Sequence, residues 1–201
     1  MEIRHSLPET MRHQAVKLYW MAFGDKLGRV MGPEPRAHEF LYTILRNDHC
    51  ICAIEGERLL GIAGYKTPQG SFSGGDPASL KRVYGQFGAL WRLGLLRLLK
   101  SGVDNERFLV DGICVVPDLR GHGIGTALVH GLEEEARRRG YPAIRLEVID
   151  RNIRAQQLYQ RLGFVESHRE SLGLLRFAFG FNHATTMIRD LAEPAQITPA
   201  T

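Results

Sequence analysis

An α/β fold built on one mixed sheet is the class this sequence predicts, and three observations predict it. Short apolar, β-rich runs alternate with stretches of helical periodicity, and two such runs in the first third are joined by a tight turn. Two strongly apolar runs, Phe108–Val116 and Ala143–Ile149, flank a segment of helical length. Those two strands should lie side by side and parallel, because a strand–helix–strand unit returns by a right-handed crossover.

The elements come in this order. Glu2 to Leu7 reads as a short strand ended by Pro8, and Met11, Ala15, Leu18, Tyr19 and Ala22 recur at helical spacing from Glu9 to Phe23. Gly24–Pro35 carries Gly24, Gly28, Gly32, Pro33 and Pro35 and predicts a loop, with a second helix over Arg36–Arg46. His49–Glu55 and Leu59–Thr67 form a hairpin across Gly56-Glu57, and Pro68–Pro77 is a loop. After Phe108–Val116 come a glycine-rich turn, a helix over Ile124–Arg139, the strand Ala143–Ile149 and a helix over Ile153–Leu162. A strand beginning at Phe164 and another over Thr185–Leu191 complete the set.

Composition narrows the classes. Of 201 residues, 44% are hydrophobic and 24% charged, which supports a packed core and argues against a disordered chain. Three cysteines cannot complete a disulfide framework, so a reducing, cytoplasmic setting is expected. Cys50 and Cys52 share a strand face and read as small core residues, since no metal-ligand spacing accompanies them. No signal-like N-terminus and no membrane span are expected. A net charge of +4 is a weak footprint for nucleic acid, and no nucleic-acid partner is expected.

The chemistry concentrates after the strand Phe108–Val116. Arg120-Gly121-His122-Gly123-Ile124-Gly125-Thr126 joins strand to helix through three alternating glycines. A helix start exposes main-chain N–H groups at its positive end, glycines allow a phosphate to approach them, and Arg120 adds a cation. That is the chemistry of a pyrophosphate site. A Walker loop would need a Gly-Lys-Ser/Thr ending, which is missing, and a dinucleotide fingerprint would need Gly or Ala at Thr126. Asp150, near where a ribose-binding acid would fall, keeps the nucleotide reading open.

The chain here resembles the GNAT acetyltransferase superfamily. Arg120, Gly123 and Gly125 match its Arg/Gln-x-x-Gly-x-Gly/Ala signature, with Val115 and Pro117 ahead of it. Asn152-x-x-Ala155-x-x-Leu158-Tyr159-x-x-x-Gly163-Phe164 matches a second family motif. The resemblance covers Phe108–Phe164. It implies a mostly antiparallel central sheet of about seven strands, with a splayed parallel pair in the middle and helices on both faces. It implies one such domain over residues 1–192; the segment for which it does not account is expected as a helical insertion at about 69–106, and 193–201 as a mobile tail.

The resemblance also implies that acetyl-CoA, with no metal, lies between the splayed strands. Its pantetheine arm would pair with main chain over Ile113, Cys114 and Val115, its pyrophosphate would take Arg120–Thr126, and Asn152 and Ala155 would flank the arm. Tyr159 falls at the family's general acid. For the base, Asp111 interrupts a buried strand, where an acid is costly unless paired or functional, and by strand parity it should face the side of Ile113 and Val115. A carboxylate bonded to loop amides is the alternative reading of Asp111. Glu147 is the second candidate. The implied reaction moves an acetyl group to a primary amine, on a small molecule or a protein, by direct attack. A non-catalytic CoA-binding sensor remains the competing reading, and a homodimer stays open.

Ser79–Gly102 fits none of this. At helical spacing Val83, Tyr84, Phe87, Leu90, Trp91, Leu95 and Leu98 fall on one side, and Lys81, Arg82, Arg92, Arg97 and Lys100 on the other. A break at Gly85, Gly88 or Gly94 is compatible with this pattern. A cover over the acceptor groove, an oligomer contact and a membrane-surface helix are all consistent with it.

Overall fold

The computed structural model describes residues 1–98, 107–173 and 180–191. The expected mobile tail, 193–201, and the end of the 79–102 segment lie outside the described residues. In chain order the elements are β1 (Glu2–Arg4), α1 (Arg12–Met31), α2 (Glu34–Ile44), β2 (Cys50–Glu55), β3 (Arg58–Thr67) and β4 (Gly70–Ser71). Next come α3 (Pro77–Leu98), β5 (Phe108–Val115), α4 (Ile124–Arg138), β6 (Ala143–Ile149), α5 (Ile153–Arg161), β7 (Val165–Ser171) and β8 (His183–Asp190).

The eight strands form one sheet in the order β1-β2-β3-β5-β6-β8-β7, with β4 paired to β3. Every pairing is antiparallel except β5 with β6. The strand beyond the expected seven is β4, two residues long, inside the stretch read as a loop.

Both faces of the central strands are buried, which is why β2 and β3 read as unbroken apolar runs. On one face Cys50, Cys52, Ile62, Phe72 and Cys114 pack under α1, α2 and α3. On the other, Ile51, Tyr65, Phe108 and Ile144 pack under Leu128 and Leu132 of α4. Cys50 and Cys52 are core thiols as expected, with Sγ atoms 3.9 Å apart at thiol hydrogen-bond distance and no disulfide between them.

A buried carboxylate ties α4 to the sheet. Glu135 is fully buried and accepts from Arg139 Nε at 2.6 Å, from Tyr65 Oη at 3.2 Å and from Arg138, with His5 Nδ1 3.1 Å away. Burial raises its pKa, but the bonds from Arg139 and Arg138 outweigh that and hold it at about 2.

Two expectations are corrected. Gly24–Pro35 is not a loop from its start, because α1 runs on to Met31. A Cβ at Gly24 would sit 3.2 Å from the Trp20 ring, so glycine there makes room for Trp20 rather than breaking the helix. The apolar stripe of 79–102 does not stay on one side either. Gly85 adopts φ 70°, ψ 175° inside α3, and this break rotates the remainder of the helix. Leu80, Val83 and Tyr84 are buried, whereas Phe87, Leu90 and Trp91 are exposed. Arg92, expected in solvent, turns inward: its guanidinium carbon lies 4.0 Å from the Tyr84 ring centre, and the group donates to the Gly32 carbonyl.

Candidate active site

The site begins with a fault in the sheet. Tyr65 pairs with Val110 but Gly64 with Gly112, so Asp111 is an extra residue bulged out of β5. The parallel partner stops at the same level: β5 and β6 pair only at Phe108–Ile144 and Leu109–Arg145. Beyond that point the strands part, leaving a cleft of about 230 Å³. Phe23, Lys66, Asp111 and Ile113 line it on the β5 side, and Glu147, Asn152 and Tyr159 on the β6 side.

Strand alternation decides which main-chain groups meet the cleft. Val116 N–H donates to Leu60 C=O in β3. Val115 and Ile113, out of phase with that bond, therefore turn their N–H and C=O groups toward the parted edge. Cys114, expected beside them, is in the opposite phase. Its main chain faces Ile62 of β3 and its side chain is buried in the core under α1, so it does not reach the cleft.

The bulge also overturns the expected orientation of Asp111. Phe108, Val110, Ile113 and Val115 pack on the α4 side, and Asp111 points the other way because the extra residue breaks strand parity. Its Oδ2 accepts from Ser71 Oγ at 2.9 Å, Ser73 N–H at 2.9 Å and Ser73 Oγ at 2.7 Å. Tyr19 Oη in turn donates to Ser73 Oγ at 3.0 Å. Among the described residues no group bonds Asp111 Oδ1.

Tyr159, on α5, is nearly buried and packs on Phe164, their ring centres 5.7 Å apart. Burial, with the Cys114 thiol nearby, pushes its phenol well above the usual range, so it keeps its proton. Glu147 lies across the cleft from Asp111 and is half-exposed, with Oε1 3.0 Å from an Arg145 guanidinium nitrogen. Asn152 caps α5, its Oδ1 accepting from Ala155 N–H at 3.3 Å, which holds the motif's first half against the cleft.

The glycine loop lies at the end of β5, beyond the residues lining the cleft. Gly121 and Gly123 take φ of +89° and +81°, where a side chain is strained, and nothing lies within 4 Å of where a Cβ would stand. The N-cap of α4 is Gly123, with no side-chain cap, and the first helical bond runs from Ala127 N–H to Gly123 C=O. The N–H groups ahead of Ala127, on Ile124, Gly125 and Thr126, thus have no helical acceptor. Gly125 lets Leu158 of α5 approach, 3.2 Å from a built Cβ. Arg120 folds back, Nε 3.3 Å from the Val115 carbonyl, and His122 stands in solvent. Uncapped N–H groups, an adjacent guanidinium and a free strand edge fit a pyrophosphate carrying an extended amide arm.

Ser71, Ser73, Phe23 and Lys66 were not anticipated. Lys66 had a signal, as the one charged residue in the run Leu59–Thr67. The serines had none, since a Ser/Gly-rich loop carries no periodicity. Among the described residues there is no cluster of His, Cys, Asp and Glu arranged to hold a metal, and no helix is long and apolar enough to cross a membrane.

Comparison with known proteins agrees with this geometry. The Acetyltransferase (GNAT) family matches residues 12–164. The thialysine N-epsilon-acetyltransferase of Mus musculus is 36% identical over 86 residues, 43% of this chain and 50% of that protein. An uncharacterized N-acetyltransferase of Methanocaldococcus jannaschii is 48% identical over 54 residues, 27% of this chain and 24% of that protein. The chain thus spans half or less of the length of the curated relatives it matches. A solved N-acetyltransferase from Staphylococcus aureus Mu50 shares the fold, with TM-score 0.65 at 18% identity over 94% of this chain and 100% of that one. With the family match covering most of the chain, and a parted parallel strand pair beside an uncapped glycine loop, the chain belongs to the GNAT acetyltransferase family.

Proposed function

We propose that this protein moves an acetyl group from acetyl-CoA to a primary amine by direct attack, with Tyr159 as general acid. The observation that carries the reading is the cleft between β5 and β6, where Tyr159 and Asp111 stand on opposite walls beside an open main-chain edge. Bound there, acetyl-CoA would supply the activated acetyl thioester.

The chain's own groups then have distinct tasks. The loop Arg120–Thr126 holds the pyrophosphate through main-chain N–H groups and the Arg120 guanidinium. Ile113 and Val115 offer the strand edge, and an N–H there polarises the acetyl carbonyl. Asp111 Oδ1 accepts the proton of the incoming ammonium, which has no lone pair until it is lost. The serine bonds to Oδ2 keep that carboxylate oriented. Glu147, already bonded by Arg145, draws a cationic acceptor toward the cleft. Tyr159 Oη keeps its proton and gives it to the departing sulfur, whose own pKa rises in the same dry wall.

The acceptor class rests on the name of the mouse relative, which acts on a small primary amine. We place the activity in the cytoplasm on the odd cysteine count alone. Calorimetric titration with acetyl-CoA, with NAD and ATP as controls, tests the cofactor, and thiol release over a panel of amines tests the reaction. Tyr159→Phe should lower kcat about a hundredfold and leave the KM for acetyl-CoA within about twofold. Binding without thiol release from any amine would favour the non-catalytic CoA-binding reading. Failure to bind any CoA ester would end both.

A further inference from the structure

The outward face of α3 takes no part in this chemistry, since none of its described residues lines the cleft. Phe87 is 90% exposed, Leu90 72% and Trp91 46%. With Pro77, Leu80, Lys81 and Leu93, Phe87 and Leu90 border a groove of about 440 Å³. In an unbroken helix Phe87 would accompany Tyr84 into the core; the break at Gly85 turns it and its neighbours out. Arg92 holds the arrangement: its guanidinium carbon lies 4.3 Å from the Trp91 ring centre, and its Nη1 and Nη2 donate to the Gly88 and Gly32 carbonyls.

Charge says what covers this face. Lys81 and Arg82 are exposed on α3, and in sequence the stretch from Pro77 to Gly102 holds three further cations, Arg92, Arg97 and Lys100, and no Asp or Glu. Those five cations exceed the net +4 of the whole chain, so the remainder is slightly negative. The nearest acid in sequence, Asp76, accepts from the Ser79 N–H at 2.6 Å. A second copy of the same segment would bring the same excess of cations over carboxylates against this one. A folded partner would need a pocket shaped to the projecting Phe87, whereas a lipid interface accepts a projecting aromatic without one.

We propose that the outward face of α3, through Phe87, Leu90 and Trp91 with Lys81 in the same groove and the exposed Arg82 on the same helix, docks this protein on an anionic phospholipid surface. The helix would lie in the interface without crossing it. This inference is independent of the acetyl-transfer reading.

The test is co-sedimentation of the full chain with phosphatidylcholine vesicles containing about a third phosphatidylglycerol, against phosphatidylcholine alone. Binding should appear only with the anionic lipid and weaken with added salt. Tryptophan emission should shift to the blue on binding in the parent and not in Trp91→Phe, Trp20 serving as the unchanged reference. Phe87→Ser and Leu90→Ser, both at exposed positions, should each weaken binding about tenfold. Lys81→Glu with Arg82→Glu should weaken it more. Equal sedimentation with both lipids, or anionic binding untouched by Phe87→Ser and Leu90→Ser, overturns the proposal. So does self-association or capture of a poly-glutamate peptide through this face without vesicle binding.

Discussion

Gly123→Ala separates what the glycine loop does for the fold from what it does for the ligand. Gly123 sits at φ +81° with open space where a Cβ would stand, so no packing clash is involved. The remaining effect on the free protein is the strain of an L-residue in the left-handed region, about 1–2 kcal/mol, or a few degrees in Tm. On the phosphate reading, the new methyl would take space beside the loop that the ligand needs to reach the uncapped N–H groups of α4. A phosphate held back from one of them loses a charge-assisted hydrogen bond of about 1.5–3 kcal/mol, roughly a tenfold to hundredfold loss of affinity for acetyl-CoA.

Gly140→Ala is the matched control. Gly140 has φ +78° and equally open space, but lies beyond the far end of α4, about 20 Å along the helix. Thermal unfolding should therefore report similar losses for both variants, while calorimetric titration with acetyl-CoA should report weakening only for Gly123→Ala. Unchanged affinity in Gly123→Ala, or equal weakening in Gly140→Ala, would refute the assignment of the phosphates to this loop.

The site and its support give three further expected outcomes. Asp111→Asn should lower kcat about a hundredfold, and Ser73→Ala only severalfold because Ser71 and the Ser73 N–H still hold Oδ2. An active Asp111→Asn would leave Asp111 as a loop anchor, and Glu147→Gln would then have to lose the activity. Glu135→Gln should destabilise the fold by about 3 kcal/mol at pH 7, because the folded carboxyl lies at about 2 against an ordinary 4.5. A depressed pKa stabilises fully above the ordinary value and is lost as pH falls toward the folded one. The gap between parent and variant, read by urea unfolding, should thus shrink to less than half by pH 3, and a gap constant with pH would contradict the ion-pair account.

Sequence and structure divide the site unevenly. The loop Arg120–Thr126, the cap at Asn152 and the position of Tyr159 were legible because each is a local pattern, a backbone requirement at fixed spacing from a helix start. The apolar runs of β2, β3, β5 and β6 were legible because burial on both faces leaves no polar alternation to confuse them. Trp20 shows the limit from the other side. Two glycines spaced four apart read as a broken helix, yet they accommodate one indole, and spacing alone does not distinguish a gap from a seat.

By itself, then, the sequence determined an α/β fold with its elements in this order, a glycine loop opening α4 and the family to which the chain belongs. The tertiary structure alone decided which way Asp111 points, that Ser71 and Ser73 hold it, that Cys114 is withdrawn from the cleft, and that Phe87, Leu90 and Trp91 face outward. The first and the last share one reason. A bulge adds one residue and a glycine break rotates one helix, so each shifts the phase of every side chain beyond it. Such a shift is set by the partner strand or the packed neighbour, which lies far away in the chain.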